Sequence, residues 1–396
     1  MKIFMLLILA IYIFGCKSEH KSQIYAIANN KSDTIHLALQ NGVNGFPIDS
    51  FELVKIVPLE TNKKFLIGYI NRIDVLDSCF YIFDQQSEAI YSYDFDGNAI
   101  SKFYRKGRSG EEYIELRNYF IDVKFKKIFI PDQYRKSILQ YNLDSKFERR
   151  IKLDNYVSPY ISVTSDNNFF VLNNEDSPKL IDSRVWIFNP AGILSEKHLE
   201  NRPIMEKLIP HHLLNPISKY KDSIYFLGIY DHYIYCYDDK HVTPVYYLDF
   251  GKNKYSEKIL NEKQKTDIDI DPFIRYELPR SIENIFITDR HIHLIAIFLN
   301  KAYDVFYNKT TKNTVLTWGY SFGETENILP ERLVGATNDW FVFIVSPINF
   351  KNQVKLLNAS FAETGKTRHQ IAKLNSIDSK ISDMDNPILL LYKLKH

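Results

Sequence analysis

The sequence predicts an all-β fold, a six-bladed β-propeller with two short helical insertions, on three observations. The chain of 396 residues contains 27 Tyr and 27 Phe but 14 Gly, and strands favour aromatic residues. Short apolar runs recur at intervals close to the roughly 40 to 50 residues of a four-stranded propeller blade. A second strand-like segment follows each run at a similar distance.

The apolar runs mark one strand in each blade. Their starts lie 48, 41, 55, 68 and 48 residues apart, and insertions account for the two longest intervals. The six runs are FYIFD at 80–84, IFIPD at 128–132, FFVLN at 169–173, IYFLG at 224–228, IHLIA at 292–296 and WFVFI at 340–344.

A second strand begins 10, 10, 16, 10, 13 or 14 residues after the start of each run. Several of these strands run into a turn that contains Asp, Asn or Gly, the residues of hairpin turns. They are IYSYDFDG from 90, ILQYNLDS from 138, VWIFNPAG from 185, IYCYDDKH from 234, VFYNKTTK from 305 and VKLLNASF from 354. The apolar runs recur along the chain, and a second strand follows each run at a similar distance. Together these two patterns predict six blades, each with four strands that we call A to D.

The first blade can be assigned in full, with strand A at 67–76, B at 79–83, C at 90–93 and D at 99–104. DFDGN is then the C–D turn, and KGRSGEEY leads from strand D to the next blade. Because antiparallel strands alternate in direction, the B–C and D–A loops emerge on one side of the ring, the loop face. The A–B and C–D turns emerge on the other side, the turn face.

Two charged segments lack the alternation of strands and are predicted to be short helices, at 255–265 and 366–381. FELVKIVPLE at 51–60 and NPILLLYKLK at 386–395 are strand-like but belong to no repeat. We therefore expect one of them to complete the last blade and close the ring, which removes exposed sheet edges.

The N-terminal segment MKIFMLLILAIYIFGC is predicted to be a signal peptide, because its apolar run is shorter than the about 20 residues of a transmembrane helix. Its end resembles a bacterial lipobox, which makes Cys16 the predicted lipidation site; the alternative is a secretory signal with an incidental cysteine. Residues 17–45 are mostly polar and are predicted to be a flexible tether, with at most a short strand near 34–39. The propeller is expected at 46–396.

The composition limits which kinds of partner the chain can bind. The formal net charge is +2, and 45% of the residues are hydrophobic, so the chain has no charge excess that would attract nucleic acid. HExxH, G-x-S-x-G and P-loop patterns do not occur. No cofactor and no metal is predicted.

Three segments resemble the six-bladed β-propeller lipoproteins of Bacteroidetes, which are relatives of the NHL-repeat propellers. They are VPLETNKKFLIGYINRI at 57–73, the stretch from 90 through GRSGEEY, and DNPILLLYKLK at 385–395. That family usually has proline before the second glycine of this loop, where this chain has Ser109. The resemblance implies the fold and an outer-membrane lipoprotein, but no activity, because fold alone does not supply function.

The loop at 106–110, KGRSG, contains glycines and cations but lacks the spacing of a phosphate-binding loop. We expect Gly107 and Gly110 to allow a tight crossover with positive φ. Arg108, Glu111 and Tyr113 are candidate ligand contacts if the loop borders the central funnel.

Three histidines are further ligand-binding candidates. His211 and His212 follow the third blade, and His232 lies on the B–C loop of the fourth, so all three are placed on the loop face. Their spacing matches no metal motif. The adjacent carboxylates Glu111-Glu112 and Asp238-Asp239 are expected to be solvated surface residues.

Cys79 and Cys236 are predicted to be free, buried thiols on strands. The blade assignment places them in the first and fourth blades, which are opposite each other in a six-bladed ring. A disulfide needs Cα atoms within about 7 Å, so a bridge between them would contradict the predicted register.

These features favour a lipid-anchored binding or interaction module of the cell envelope, with a glycan, a peptide or a partner protein as its ligand. The alternative is a propeller enzyme, a lyase or hydrolase, with its site in the central funnel. A compact cluster of titratable groups with perturbed pKa values would favour the enzyme. An aromatic-rich face would favour binding.

Overall fold

A computed structural model describes residues 32–45, 47, 50–155, 158–173, 182–200, 215–228, 231–253, 279–319, 328–337, 339–364 and 368–395. Cys16, His211, His212 and the helix predicted at 255–265 lie outside the described residues. The first three described strands are β1 (Asp33–His36), β2 (Val43–Asn44) and β3 (Phe51–Pro58).

The six blades predicted from the repeat are confirmed. Blade 1 consists of β4 (Ile70–Leu76), β5 (Cys79–Asp84), β6 (Ala89–Asp94) and β7 (Ala99–Phe103). Blade 2 consists of β8 (Phe120–Asp122), β9 (Lys127–Asp132), β10 (Ser137–Asn142) and β11 (Phe147–Lys152). Blade 3 consists of β12 (Ile161–Val163), β13 (Phe169–Leu172), β14 (Ser183–Phe188) and β15 (Leu194–Glu200).

The second half of the ring repeats this order. Blade 4 consists of β16 (Ile217–Tyr220), β17 (Ser223–Leu227), β18 (Tyr233–Tyr237) and β19 (Val242–Asp249). Blade 5 consists of β20 (Pro279–Ile287), β21 (His291–Phe298), β22 (Lys301–Asn308) and β23 (Thr314–Trp318). Blade 6 consists of β24 (Arg332–Ala336), β25 (Phe341–Val345), β26 (Ile388–Leu394) and β3.

Blade 6 joins the two unmatched segments of the sequence and closes the ring. β26 pairs antiparallel with β3, from Ile388 opposite Pro58 to Leu394 opposite Phe51. Asn386, just before β26, fixes the connection that follows β3. Its Nδ2 donates to the carbonyls of Glu60 and Phe65 at 2.9 and 2.8 Å. Both segments therefore take part in closing the ring, whereas only one of them was expected to complete the last blade.

The second strand predicted at 354 is wrong. VKLLNASF lies within helix α1 (Pro347–Thr364), which is followed by α2 (Arg368–Asp378), the helix predicted near 366–381. Phe350, Val354 and Leu357 are buried at the three- and four-residue spacing of one helix face. Ser346 precedes Pro347 and accepts a hydrogen bond from the backbone of Asn349 at 3.4 Å, as an N-cap residue does.

The folded unit begins earlier than the tether predicted at 17–45 implies. β1 pairs in parallel with β19, and β2 pairs in parallel with β23, at the outer edges of blades 4 and 5. Ile35, Leu37 and Leu39 are buried, because alternating apolar residues place one face against the blade. The short strand expected near 34–39 is present, and residues 17–31 lie outside the described part.

Neither helix of the described chain combines the length and the hydropathy that a transmembrane helix needs. Cys79 lies on β5 and Cys236 on β18, and both are free thiols, as predicted from their opposite blades. Cys236 is buried as predicted, whereas the predicted burial of Cys79 is wrong, because Cys79 opens β5 next to the A–B turn and is half-buried.

The tightest backbone approaches occur at C–D turns. Gly97 and Gly192 have φ of +87° and +88°. A Cβ on Gly97 would lie 2.0 Å from the carbonyl oxygen of Pro58, and one on Gly192 would lie 2.1 Å from that of Lys152. Each turn therefore packs directly against the last strand of the preceding blade.

Gly107 and Gly110 do not have the positive φ that we expected. They are absent from the positive-φ glycines of the described chain, and a Cβ on Gly110 would meet no atom within 4 Å. The crossover from blade 1 to blade 2 is held instead by the side chains of Arg135 and Arg150, which donate to its backbone carbonyls.

We predict that Gly97→Ala and Gly192→Ala each lower the free energy of unfolding by about 2 kcal/mol or more, because a left-handed φ and a backbone clash act together. Urea denaturation followed by circular dichroism measures this loss. Gly110→Ala is the control and should change stability by less than about 0.5 kcal/mol. Equal unfolding midpoints for all three variants would contradict the assignment of the two turns.

Candidate functional site

The A strands of the six blades enclose a central cavity of about 770 Å³. Its mouth lies on the turn face, because its rim residues come from A–B turns of blades 1, 2, 4 and 6: Asp77, Lys124, Lys221 and Asp339. A volume of this size is typical of sites for small ligands. The cavity is the candidate functional site.

Arg72 forms the floor of the cavity. This side chain of β4 is almost fully buried and donates to the carbonyl of Tyr119 at 2.6 Å and to Asp74 at 3.1 Å. Its Nη1 donates to Asn118 at 3.3 Å and, across the axis, to Asn215 of blade 4 at 3.1 Å. One guanidinium thus connects blades 1, 2 and 4.

The charge of Arg72 is retained despite its burial. Burial alone would lower the pKa of Arg72, but the attraction of Asp74 and of the Tyr119 side chain outweighs this and raises it above the ordinary value. The guanidinium also lies 4.5 Å from the centre of the Tyr119 ring. A buried arginine with this many acceptors is a structural cation rather than a free site for a ligand.

A second ion pair crosses the wall of the cavity. Lys219 of blade 4 donates to Asp122 of blade 2 at 2.9 Å, and the Asp122 carboxylate is fully buried. The same carboxylate accepts the backbone N–H of Phe125 at 2.8 Å. β12, the A strand of blade 3, has three residues, so it leaves room for blades 2 and 4 to meet.

Aromatic side chains line the cavity wall, and each blade contributes one. They are Phe95, Phe120, Tyr160, Tyr220, Phe286 and Trp340, in the order of blades 1 to 6. Phe95 lies 6.0 Å from Trp340 and 4.9 Å from Phe80 between ring centres. Tyr160 and Phe286 are buried in the packing between neighbouring blades. The other four rings are half-buried and leave apolar surface at the wall in blades 1, 2, 4 and 6.

The charged groups at the mouth divide by sector. The side of blades 2 and 4 carries three lysines and one aspartate, Lys124, Lys219, Lys221 and Asp222, whereas the side of blades 1 and 6 carries three aspartates, Asp74, Asp77 and Asp339. Most of these side chains already have a protein counter-ion, such as Lys126 at 2.7 Å from Asp77 and Asp289 at 3.5 Å from Lys221. Within the described residues, no group of three or more His, Cys, Asp or Glu could hold a metal ion.

None of the four described candidates from the loop face lines this cavity. Tyr113 is fully buried between blades 1 and 2. Its hydroxyl donates to the carbonyl of Glu88 at 2.7 Å and accepts the N–H of Arg105 at 3.1 Å. Tyr113 is therefore a core residue, whereas Arg108 and Glu111 are exposed, and ligand binding by these two stays a prediction.

The glycine-containing loop is held by two arginines of blade 2. Arg135 donates to the carbonyls of Arg108 and Ser109 at 2.7 and 2.8 Å, and Arg150 donates to that of Gly110 at 2.9 Å. The N–H of Ser109 is used by Glu112 at 2.8 Å. The backbone polar groups of this crossover are hydrogen-bonded to protein side chains. Few of them are therefore left to bind a phosphate.

His232 lies against aromatic residues at the edge of blade 4. Its ring centre is 5.9 Å from Tyr247 and 5.6 Å from Phe250. Asp238 serves a local turn, because it accepts the N–H of His241 at 2.9 Å. Asp239 instead connects blade 4 to blade 3, because it accepts the hydroxyl of Ser165.

The comparison with protein families gives one match, a domain of unknown function (DUF4934), over residues 17–393. The chain belongs to the DUF4934 family. Among solved structures, this DUF4934 protein is similar to a putative exported protein from Bacteroides fragilis NCTC 9343, with 19% identity and a TM-score of 0.70. The match covers 92% of this chain and 100% of the other.

A second similar structure is a member of the DUF4221 family from Bacteroides vulgatus ATCC 8482, with 10% identity and a TM-score of 0.49. It covers 88% of this chain and 99% of the other. No curated protein matches the DUF4934 chain. At these identities, the similarity to the exported protein shows the fold alone.

Arg72→Met should lower the free energy of unfolding by about 3 kcal/mol, because it leaves buried acceptors on three blades without their donor. Guanidinium chloride denaturation measures the change. Arg149→Met is the matched control: Arg149 is exposed on β11, and its loss should cost less than about 0.5 kcal/mol. A stability of Arg72→Met equal to that of the control would show that the floor does not hold the blades together.

Proposed function

We propose that this DUF4934 protein is a lipid-anchored binding module of the cell envelope that takes its ligand into the central cavity from the turn face. The ligand class is a glycan, a peptide or a segment of a partner protein. The observation that carries the proposal is the half-buried aromatic ring that each of blades 1, 2, 4 and 6 contributes to the cavity wall. Flat apolar surfaces with a few polar groups are typical of binding sites.

The charged groups of the cavity support binding over catalysis. General acid–base catalysis needs a titratable group that is free to exchange a proton with the substrate. Here Arg72 is occupied by Asp74 and the two asparagines, and Lys219 is occupied by a buried carboxylate. Ion-paired groups of this kind hold the wall in place and orient a ligand.

The turn face replaces the loop face as the proposed binding face. The sequence predicted ligand contacts on the loop face from their position in loops, whereas the cavity rim consists of A–B turns on the turn face. Tyr113 is committed to the core, and the backbone around Arg108 is bound by Arg135. A ligand that enters from the turn face meets Trp340, Phe95 and Tyr220 first.

The envelope location rests on the N-terminal sequence and on one similar protein. The apolar segment that ends at Gly15-Cys16 has the pattern of a lipoprotein signal, and two or more acyl chains on Cys16 would give stable anchoring. The similar structure from Bacteroides fragilis is described as a putative exported protein. We include in this proposal that the protein is an outer-membrane lipoprotein related to the NHL-repeat propellers.

Trp340→Ala should abolish ligand-induced stabilisation. In the wild type, a ligand at about 100 times its dissociation constant adds about 2.7 kcal/mol of stability. We expect thermal unfolding with a panel of oligosaccharides and short peptides to reveal at least one such ligand. Trp318→Ala is the control, since Trp318 is also half-buried but lies on β23, away from the cavity.

Two results would overturn the binding proposal. Stabilisation that is equal in wild type and Trp340→Ala would place the ligand elsewhere. Conversion of the bound ligand to a product, detected by mass spectrometry after incubation, would favour the lyase or hydrolase alternative.

Cys16→Ala should leave the protein without lipid. We expect the wild type to partition into detergent and to carry an acylated N-terminal Cys16, and the variant to remain in the aqueous phase. Mass spectrometry of the mature N-terminus measures the modification directly. A wild-type N-terminus at another residue, without a lipid, would contradict the anchor.

A further inference from the structure

Two lysines flank one tyrosine at the cavity mouth. Lys309 Nζ lies 4.8 Å and Lys221 Nζ 4.9 Å from the centre of the Tyr220 ring. Tyr220 and Lys221 belong to blade 4 and line the cavity. Lys309 reaches them from the C–D turn of blade 5, between β22 and β23. The two blades thus place two ammonium groups on one aromatic ring.

A single carboxylate serves this group of side chains. Asp289 accepts the Tyr220 hydroxyl and lies 3.5 Å from Lys221 Nζ. Lys309 Nζ donates to the carbonyl of Thr288 at 2.5 Å, which is a neutral acceptor. The two cations and one anion leave an excess positive charge at this edge of the mouth. Asp222 also lines the mouth beside Lys221, and the exposed Arg290 follows Asp289 in the adjacent turn; the three cations and two anions together still sum to a positive charge.

The environment of Lys309 disfavours its charged form. Burial lowers the pKa of Lys309; Asp289 opposes the shift, and the nearby Lys221 adds to it. An anion that approached Lys309 would stabilise the charged form and offset the repulsion from Lys221. The opposite side of the mouth carries Asp74, Asp77 and Asp339, so an anionic group is favoured at the edge of blades 4 and 5.

We propose that Tyr220, Lys221 and Lys309 form an anion-recognition subsite for a carboxylate or sulfate group on an oligosaccharide. This inference rests on the proposed binding function of the cavity. Sugar rings have apolar C–H faces that stack on aromatic side chains, and the half-buried rings of blades 1, 2, 4 and 6 provide such surfaces at the wall. The lysines then select the acidic sugar over the neutral one, since charge complementarity gives specificity.

The test compares acidic probes with neutral partners of the same length. Tetragalacturonate is paired with its methyl ester, and sulfated maltotetraose is paired with maltotetraose, so that the carboxylate and the sulfate are examined separately. Isothermal titration with the full chain measures binding to wild type, Lys221→Met, Lys309→Met and Lys309→Arg. Lys312→Met is the matched control, because Lys312 lies in the same turn as Lys309 but pairs with Asp33.

We expect at least one acidic probe to bind the wild type at least tenfold more tightly than its neutral partner. Lys221→Met and Lys309→Met should each weaken that acidic probe about tenfold, with the neutral partner unchanged. Lys309→Arg should restore most of the affinity, Lys312→Met should match the wild type, and the acidic preference should fall as salt is added.

Other outcomes overturn the subsite. Equal binding of acidic and neutral sugars, still lost in Trp340→Ala, would remove the anion subsite and leave the proposed function standing. Binding of short peptides but of no oligosaccharide would exclude the sugar class. An acidic preference that persists in both methionine variants, or that is lost equally in Lys312→Met, would show that these lysines do not select the ligand.

Discussion

The buried guanidinium of Arg72 is the contact on which the arrangement of the blades depends. The blades of a propeller are separate sheets, joined mainly by apolar packing between neighbours, so little in that packing fixes distances across the axis. Arg72 adds directional contacts to blades 2 and 4 from blade 1. It also closes the cavity at one end, so the same side chain that organises the centre limits how deep a ligand can enter.

In the wall above this floor, charged side chains and aromatic rings have different roles. Lys219 and Asp122 form an inward ion pair that brings blades 2 and 4 together past the short strand of blade 3. Because those charges neutralise each other, the binding function that we propose would leave ligand selection to the rings and to the partly compensated lysines at the mouth. The preference of such a site would be set at its edge, and its shape at its floor.

The repeat in the sequence predicted the six blades because the B and C strands are buried on both faces and read as apolar runs. The A strands carry the polar residues of the cavity, such as Arg72 in INRIDVL, so they gave no such signal, and the site was sought among loops instead. An alternating polar residue in the strand before each apolar run was the available signal. VKLLNASF misled because a short apolar run fits a helix as well as a strand.

The pairing of β3 with β26 has a consequence for how the chain reaches this fold. Asn386 and the Glu60 carbonyl that it binds are 326 residues apart in sequence. Contacts this distant slow folding, since a long loop must be closed before they form. Until β26 is in place, the apolar β3 has no partner strand, and unpaired strands of this kind are prone to aggregate. A chaperone that shields the first strands would therefore assist this protein more than one that acts on any single blade.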